Sequence, residues 1–265
     1  MVESELLFTH ILDCDRVSLY LNKDTLLTSN QSELISGSLK RRIKGEPLQY
    51  IIGKAEFMGL EFKVNPDVLI PRPETEILVE AALRLARGLG LKALNILDMG
   101  TGSGCIAVSL AKNLKGAQIT AVDFSIKALK TAAKNAQLNN AEVIFIQSDL
   151  FSNKALKVKG YDLIVSNPPY IISKEINYLQ PELRYEPVTA LDGGIDGLKF
   201  YREMIKKSPV YLRDGGILLM EMGFNQIKDI EGLFGGSDYF DIIEVIKDYN
   251  NIDRVIAAKK GRRDG

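Results

Sequence analysis

The sequence predicts an α/β protein: a mostly parallel sheet with helices on both faces, preceded by a short all-helical region. Three observations predict it. From Leu94 onward, apolar runs of strand length alternate with helix-period segments, the pattern of parallel strands joined by crossover helices. The first run delivers into Asp98-Met99-Gly100-Thr101-Gly102-Ser103-Gly104, a glycine-rich turn of the kind that leads a strand into a helix and lets a ligand approach the backbone. Before residue 52 the apolar spacing is helical and no strand pattern occurs.

Taken in order, Leu6, Leu7, His10 and Ile11 follow helical spacing, as do Leu34, Leu39 and Ile43. Asn22, Thr28-Ser29-Asn30 and Gly45-Glu46-Pro47 supply the caps and turns between them. Residues 55–64 alternate around Gly59, as a short β-hairpin does. Asn65-Pro66 and Pro71-Arg72-Pro73 then make a stiff linker, and residues 74–85 form a helix. Strands are expected at 94–98, 117–122, 143–147 and 161–166, with helices running to about Leu114 and over 125–138 between the first three. A helix at 197–207 leads to a strand at 215–221, and strands at 240–246 and 254–258 complete the pattern. The basic tail Lys259-Lys260-Gly261-Arg262-Arg263 reads as a frayed, solvated end.

Composition narrows the chemistry. With 265 residues, 46% apolar and 26% charged, the chain is globular, of one large or two modest domains. Lys+Arg and Asp+Glu tie at 34 each, so no net charge draws the whole molecule to nucleic acid or a membrane. The start Met-Val-Glu-Ser-Glu-Leu-Leu lacks the basic opening of a signal peptide, and no apolar run reaches the ~18 residues of a membrane helix. Two cysteines, Cys14 and Cys105, make no disulfide framework, and a reducing cytoplasmic setting is expected. His10 is the single histidine and sits in an apolar helical stretch. Histidine general-base chemistry, Ser-His-Asp triads and His-rich zinc sites are thereby set aside, and no metal is expected.

The glycine loop and Asp123, roughly 20 residues past it at the end of the next strand, form the constellation that binds a ribose-bearing ligand at the carboxyl edge of such a sheet. The competing reading is a tight connection with a capping acid. The spacing is Gly-x-Gly-x-Gly, not the Gly-x-Gly-x-x-Gly of dinucleotide folds. Asp98 would repel a pyrophosphate and welcome a cationic methionine moiety. Both features favour S-adenosylmethionine over a nicotinamide cofactor.

The strand at 161–166 runs into Asn167-Pro168-Pro169-Tyr170. Each proline holds the residue before it extended and lacks an N–H, so the loop offers acceptors: the Asn167 side-chain oxygen and the Pro168 carbonyl. A planar group bearing an NH2 could donate one hydrogen bond to each while Tyr170 stacks on its face. The competing reading is a strand stop with a packing tyrosine.

Here a resemblance becomes specific. Asn-Pro-Pro-Tyr after the fourth strand resembles the motif of enzymes that methylate exocyclic or amide nitrogens. Three stretches extend the likeness: Gly45-Glu46-Pro47-Leu48-Gln49-Tyr50-Ile51-Ile52-Gly53, Phe57-Met58-Gly59-Leu60, and Leu69-Ile70-Pro71-Arg72-Pro73-Glu74-Thr75-Glu76. With Tyr185-Glu186-Pro187 and residues 190–198, they resemble the PrmC/HemK family, the release factor glutamine N5-methyltransferases. The likeness covers nearly the whole chain and is weakest over the first forty residues. The family usually has Leu or a similar residue at Met99 and often Ala at Cys105, apolar exchanges both.

The resemblance implies a seven-stranded class I methyltransferase (Rossmann-like) sheet, strands two to five parallel and the last inserted antiparallel. It divides the chain into an N-terminal helical substrate-recognition domain (1–52), a β-hairpin and Pro-rich linker (53–73) and a catalytic domain (74–265). It implies cofactor contacts at Gly100, Thr101, Gly102, Ser103, Gly104, Asp123 and Asn167, with Leu150 near the adenine. Some relatives carry an aromatic at that position, for which Phe151 or Phe124 would compensate. Substrate contacts fall on Asn167, Pro168, Pro169 and Tyr170, of which Asn167, Pro168 and Tyr170 are the expected catalytic residues. Arg72 and Glu74 look like linker residues near the cofactor, against a competing ion pair or cap. Arg41-Arg42-Ile43-Lys44 is either a contact for an acidic protein face or a solvated helix end. The implied substrate is the Gly-Gly-Gln loop of class 1 peptide chain release factors, and the chain is expected to be monomeric. The rival is a nucleic-acid adenine N6-methyltransferase, opposed by the zero net charge and the lack of a basic, aromatic-interleaved stretch. A non-catalytic cofactor-binding scaffold has no need of Asn-Pro-Pro-Tyr.

Overall fold

In the computed structural model, which describes residues 2–91 and 93–261, the N-terminal part is helical throughout: α1 (Glu3–Leu12), α2 (Arg16–Leu21), α3 (Ser29–Ile43) and α4 (Leu48–Ile52). Local chemistry sets the boundaries. Asp15 caps α2 by accepting the Ser18 N–H at 2.6 Å. Thr28 caps α3 in a reciprocal box with Gln31, satisfying donors that a helix start leaves free. The buried contacts come from Leu7, Ile35, Leu48 and Tyr50. Leu34, Leu39 and Ile43 are in a helix as expected but face outward, Ile43 with 84% of its surface exposed. Spacing identified the helix and not its buried face, which Ile35 supplies. His10 is an exposed residue of α1.

Strands β1 (Lys54–Phe57) and β2 (Leu60–Lys63) form the hairpin. Its two turn residues, Met58 and Gly59, both have positive φ, the geometry of a tight two-residue connection. Phe57 and Phe62 meet edge to face, ring centroids 6.1 Å apart, in the same core cluster as helix α5 (Pro73–Gly88). Asn135, wholly buried on α7 (Ile126–Leu138), fastens the hairpin to the glycine loop. Its side-chain oxygen accepts Lys63 N–H at 2.7 Å, and its amide nitrogen donates to the Lys63 and Ser103 carbonyls at 2.9 and 2.8 Å.

The main sheet contains β3 (Asn95–Met99), β4 (Gln118–Asp123), β5 (Ile144–Gln147), β6 (Tyr161–Ser166), β7 (Leu212–Glu221), β8 (Phe240–Lys247) and β9 (Asp253–Lys260), in the spatial order β5-β4-β3-β6-β7-β9-β8. Neighbours among β3 to β7 pair parallel. The last strand inserts antiparallel between β7 and β8, as expected. Helices α6 (Cys105–Asn113), α8 (Lys199–Tyr211) and α9 (Ile227–Gly235) complete the helical layers. Alternate residues supply the two cores: Ile96, Leu163 and Val165 belong to one cluster, Leu97 and Ile164 to the other, as the period of two requires.

Three differences from expectation have physical causes. β7 begins at Leu212, ahead of the predicted 215, because the strand passes through Gly215 (φ 76°) with a register shift against β6, a bulge that glycine tolerates. Lys259 and Lys260 are not a frayed end. They finish β9, and the buried Lys260 ammonium donates to the Leu212 carbonyl at 2.9 Å and pairs with Asp214 at 3.0 Å; Arg262 and Arg263 lie outside the described residues. The connection after Tyr170 holds three 3-10 turns, Ser173–Tyr178, Pro181–Tyr185 and Val188–Ala190, too short for periodicity to reveal.

Candidate active site

The carboxyl ends of β3, β4, β6 and β7 lie side by side, and the sequence-predicted residues gather there. After β3 the chain turns back on itself: the Gly100 and Thr101 N–H groups both donate to the Val122 carbonyl at 2.8 Å. Gly100 and Gly102 have positive φ, and a Cβ at either would meet no heavy atom within 4 Å. The loop thus presents bare backbone to open space. Gly104 is required for another reason, since its Cβ would fall 2.9 Å from that of Ala132 on α7. Thr101 and Ser103 between the glycines are buried. The Thr101 hydroxyl donates to Asp98 Oδ2 at 2.6 Å.

Two carboxylates flank this loop. Asp98 is fully buried; burial pushes its carboxyl up to about 7, opposed by the Thr101 hydroxyl and the Ala107 N–H and reinforced by the charge of Asp123. Its Oδ1 has no hydrogen-bond partner. Asp123 accepts the Gly102 and Ser125 N–H groups at 2.9 and 2.8 Å; burial raises its carboxyl, and those amides oppose the rise. An orphaned carboxylate oxygen suits a cationic group, and bare glycine backbone suits a ligand lying against it. The residues therefore fit S-adenosylmethionine. Leu150 stands after β5 in the left-handed region (φ 48°), partly buried against the second core. Phe151 does not stand in for an aromatic there: it is buried and stacked on Tyr211 with centroids 4.6 Å apart. Phe124, beside Asp123, is 66% exposed.

The Asn-Pro-Pro-Tyr loop abuts the glycine loop, because the Ser166 hydroxyl at the end of β6 donates to the Met99 carbonyl at 2.7 Å. Asn167, Pro168 and Tyr170 line a cavity of about 300 Å³ with Leu69, Arg72, Glu74, Glu221 and Arg254 around them. The Asn167 amide nitrogen donates to the Thr75 hydroxyl at 3.0 Å. Gln226 braces the loop from behind, donating to the Tyr170 and Gly197 carbonyls at 3.2 and 3.4 Å. Burial pushes the Tyr170 hydroxyl up to about 12, so it stays protonated. Arg72 serves as an ion pair with Glu186, whose carboxylate also accepts the Ile70 N–H, and it lines the cavity as well. Glu74 lines the cavity too.

Sequence reasoning missed Thr75, Glu221 and Arg254. Glu221 closes the run Leu218-Leu219-Met220, buried on a strand next to β6. A charged residue ending such a run at the ligand-binding edge is the signal that could have found it. Burial pushes its carboxyl up to about 7, with the Thr75 hydroxyl and the Arg254 charge pulling it down. Arg41 and Arg42 are engaged within the chain, Arg41 with Glu46 and Arg42 with Glu3 and Glu182. Among the described residues no group of three or more His, Cys, Asp or Glu could hold a metal ion, and no helix is long and apolar enough to cross a membrane.

Residues 1–53 match the model of the PrmC N-terminal domain and residues 75–182 that of the methyltransferase small domain. A release factor glutamine methyltransferase of Geobacter sulfurreducens is 46% identical over 98% of this chain and 89% of its own length. That of Thermodesulfovibrio yellowstonii is 43% identical over 98% of this chain and 92% of its own. Among solved structures, a methyltransferase from Pyrococcus furiosus aligns with a TM-score of 0.56 at 17% identity, covering 89% of this chain and 100% of that one; that likeness is one of fold.

Proposed function

We infer that this chain, which belongs to the release factor glutamine methyltransferase family, methylates the side-chain amide nitrogen (N5) of the glutamine in the Gly-Gly-Gln loop of class 1 peptide chain release factors. The observation that carries the reading is the convergence of Asn167, Pro168 and Tyr170 on one cavity beside a glycine loop with an unpartnered buried carboxylate oxygen. S-adenosylmethionine, when bound, supplies an electrophilic methyl group on a sulfonium. Asp123 would hold the ribose hydroxyls, the backbone from Gly100 to Gly104 would lie against the ligand, and Asp98 would face its cationic methionine part. Asn167, with Leu150 and the exposed Phe124, would border the adenosine.

An amide nitrogen is a poor nucleophile because its lone pair is delocalised into the carbonyl. Asn167 Oδ1 and the Pro168 carbonyl would each accept one N–H of the substrate amide, fixing its orientation and drawing electron density toward nitrogen, while Tyr170 would wall the plane and Pro169, which does not line the cavity, would stiffen the loop. Orientation of this kind lowers barriers by as much as ~7–11 kcal/mol in intramolecular models. The substrate nitrogen held there would gain the methyl group that the cofactor supplies, the departing sulfur would keep the bonding pair, and the amide proton would pass to solvent after transfer. Residues 1–52 would recognise the protein substrate, 53–73 would act as linker and 74–265 as catalytic part, in a cytoplasmic monomer. Balanced charge and the names of the relatives favour this reading over adenine methylation. The test is transfer of a labelled methyl group to a release factor, to the same factor with the Gly-Gly-Gln glutamine replaced by alanine, and to DNA and RNA. Label on the intact factor alone is expected; equal label on the alanine variant, or label on a nucleic acid, refutes it.

A further inference from the structure

Asparagine has two ends of nearly identical shape, and only one of them suits the reaction. The amide oxygen facing the cavity accepts from a substrate NH2, whereas the amide nitrogen facing the cavity would set donor against donor. Nothing in the Asn-Pro-Pro-Tyr loop itself decides between them. Two residues outside the loop do. The Asn167 nitrogen donates to Thr75 Oγ1 at 3.0 Å, and Thr75, in the first turn of α5, is 2% exposed. Beside these groups lies the carboxyl of Glu221, 3% exposed, at the end of the strand paired with β6. One of its oxygens is buried without a hydrogen-bond partner. In its ionised form this carboxylate only accepts. The Glu221 carboxylate draws donor hydrogens from both the Thr75 hydroxyl and the Asn167 side chain, so Thr75 Oγ1 is left to accept from the Asn167 nitrogen, the end of that side chain that can donate.

We propose that Thr75 and Glu221 are positioning residues that fix the Asn167 side chain with its oxygen toward the cavity and so set the rate of amide methylation. The inference rests on the reading that Asn167 holds the substrate amide. It assigns a purpose to two buried polar groups from separate elements, α5 and β7, that take no direct part in the mechanism above.

The experiment is a pair of substitutions in two backgrounds. Thr75→Val keeps the side-chain shape and removes the hydroxyl; Glu221→Gln replaces the acceptor with a group that can donate to Thr75 and reverse the arrangement. Single-turnover rates on a release factor are expected to fall roughly ten- to a hundredfold for each, with KM for the release factor and calorimetric affinity for S-adenosylmethionine within about threefold of the parent. Thr75→Ser should restore the rate. In an Asn167→Asp enzyme both ends of residue 167 are oxygens and there is no orientation to set, so Thr75→Val should cost less than about threefold there. A merely structural role costs the same in both backgrounds, and that result overturns the proposal. So does an undiminished Thr75→Val rate in an enzyme that Asn167→Ala disables. Full activity of Asn167→Ala removes instead the reading of the site on which the proposal stands. Where Thr75→Val denatures, Glu221→Gln in the same two backgrounds decides by the same criterion.

Discussion

On the proposed reading the cleft has a cofactor wall, made mostly of residues 98–104 with Asp123 hydrogen-bonded to Gly102, and an amide wall. The amide wall draws on the linker (Leu69, Arg72), the first turn of α5 (Glu74, Thr75), the loop after β6, the 3-10 segment (Leu183, Ala190, Leu191), the end of β7 and the start of β9. One wall is a turn whose N–H groups are spent within it, on the Val122 and Thr101 carbonyls and on Asp123, leaving bare glycine toward the cleft; the other is built of side chains that hold one another. A backbone wall tolerates exchange of its buried side chains, whereas a side-chain wall fails when one partner is removed. Each wall can be attacked separately.

The largest effect is expected on the amide side. Asn167→Ala removes a short polar group at a strand end, so the thermal midpoint should move little. Methyl transfer should fall ~10²–10³-fold, as when one well-placed partner leaves a preorganised site. Asn167→Asp should give an intermediate rate, because its carboxylate still accepts the amide while its charge stabilises the reactant sulfonium more than the transition state. Single-turnover measurement checks both; an Asn167→Ala enzyme as fast as its parent breaks the contrast between the walls.

Next comes Asp123→Ala. It removes a charged acceptor worth ~1.5–3 kcal/mol per hydrogen bond, so calorimetry should show clearly weaker S-adenosylmethionine binding. Unchanged affinity would take Asp123 out of the site.

Asp98 is expected to link stability to function with opposite signs. Its folded-state carboxyl is raised from 3.8 to about 7 by burial, so the folded protein holds this proton more tightly than the unfolded chain does. The group's contribution to stability is full below about pH 4 and falls as pH rises through about 7. Asp98→Asn should therefore be more stable than the parent at pH 8, by about 1–3 kcal/mol in the ligand-free protein, with the gap closing toward pH 5. The same variant should bind the cofactor less well. Urea denaturation at the two pH values checks the first statement, and a gap independent of pH contradicts it.

The smallest effect tests distance from both walls. Thr28→Ala removes the cap of α3 and should cost about 1 kcal/mol, visible in chemical denaturation, with no change in methyl transfer once folded.

Legibility follows the same division. The glycine loop, Asp123 and Asn-Pro-Pro-Tyr are contiguous or regularly spaced, so the sequence exposes them, and the alternation that builds the sheet is equally plain. Thr75, Glu221 and Arg254 are common residue types whose meaning comes only from the pairing of β6 with β7 and β7 with β9. The outward Leu34, Leu39 and Ile43 show another limit. Periodicity reports that a helix exists, while the face it buries is decided by what packs there, in this case only Ile35 and few neighbours.

The placement of β9 has a consequence for how the molecule is made. β7 is synthesised before β8, yet the two are separated in the sheet by β9, which comes last. Until residues 253–260 leave the ribosome, the edge of β7 stays open and β8 has no strand to pair with. Open edges of this kind invite pairing between chains. Arg254, at the start of β9, also lines the cavity. A nascent chain can therefore complete its cofactor wall well before its amide wall, and a chain cut short before Asp253 is expected to aggregate before it can act.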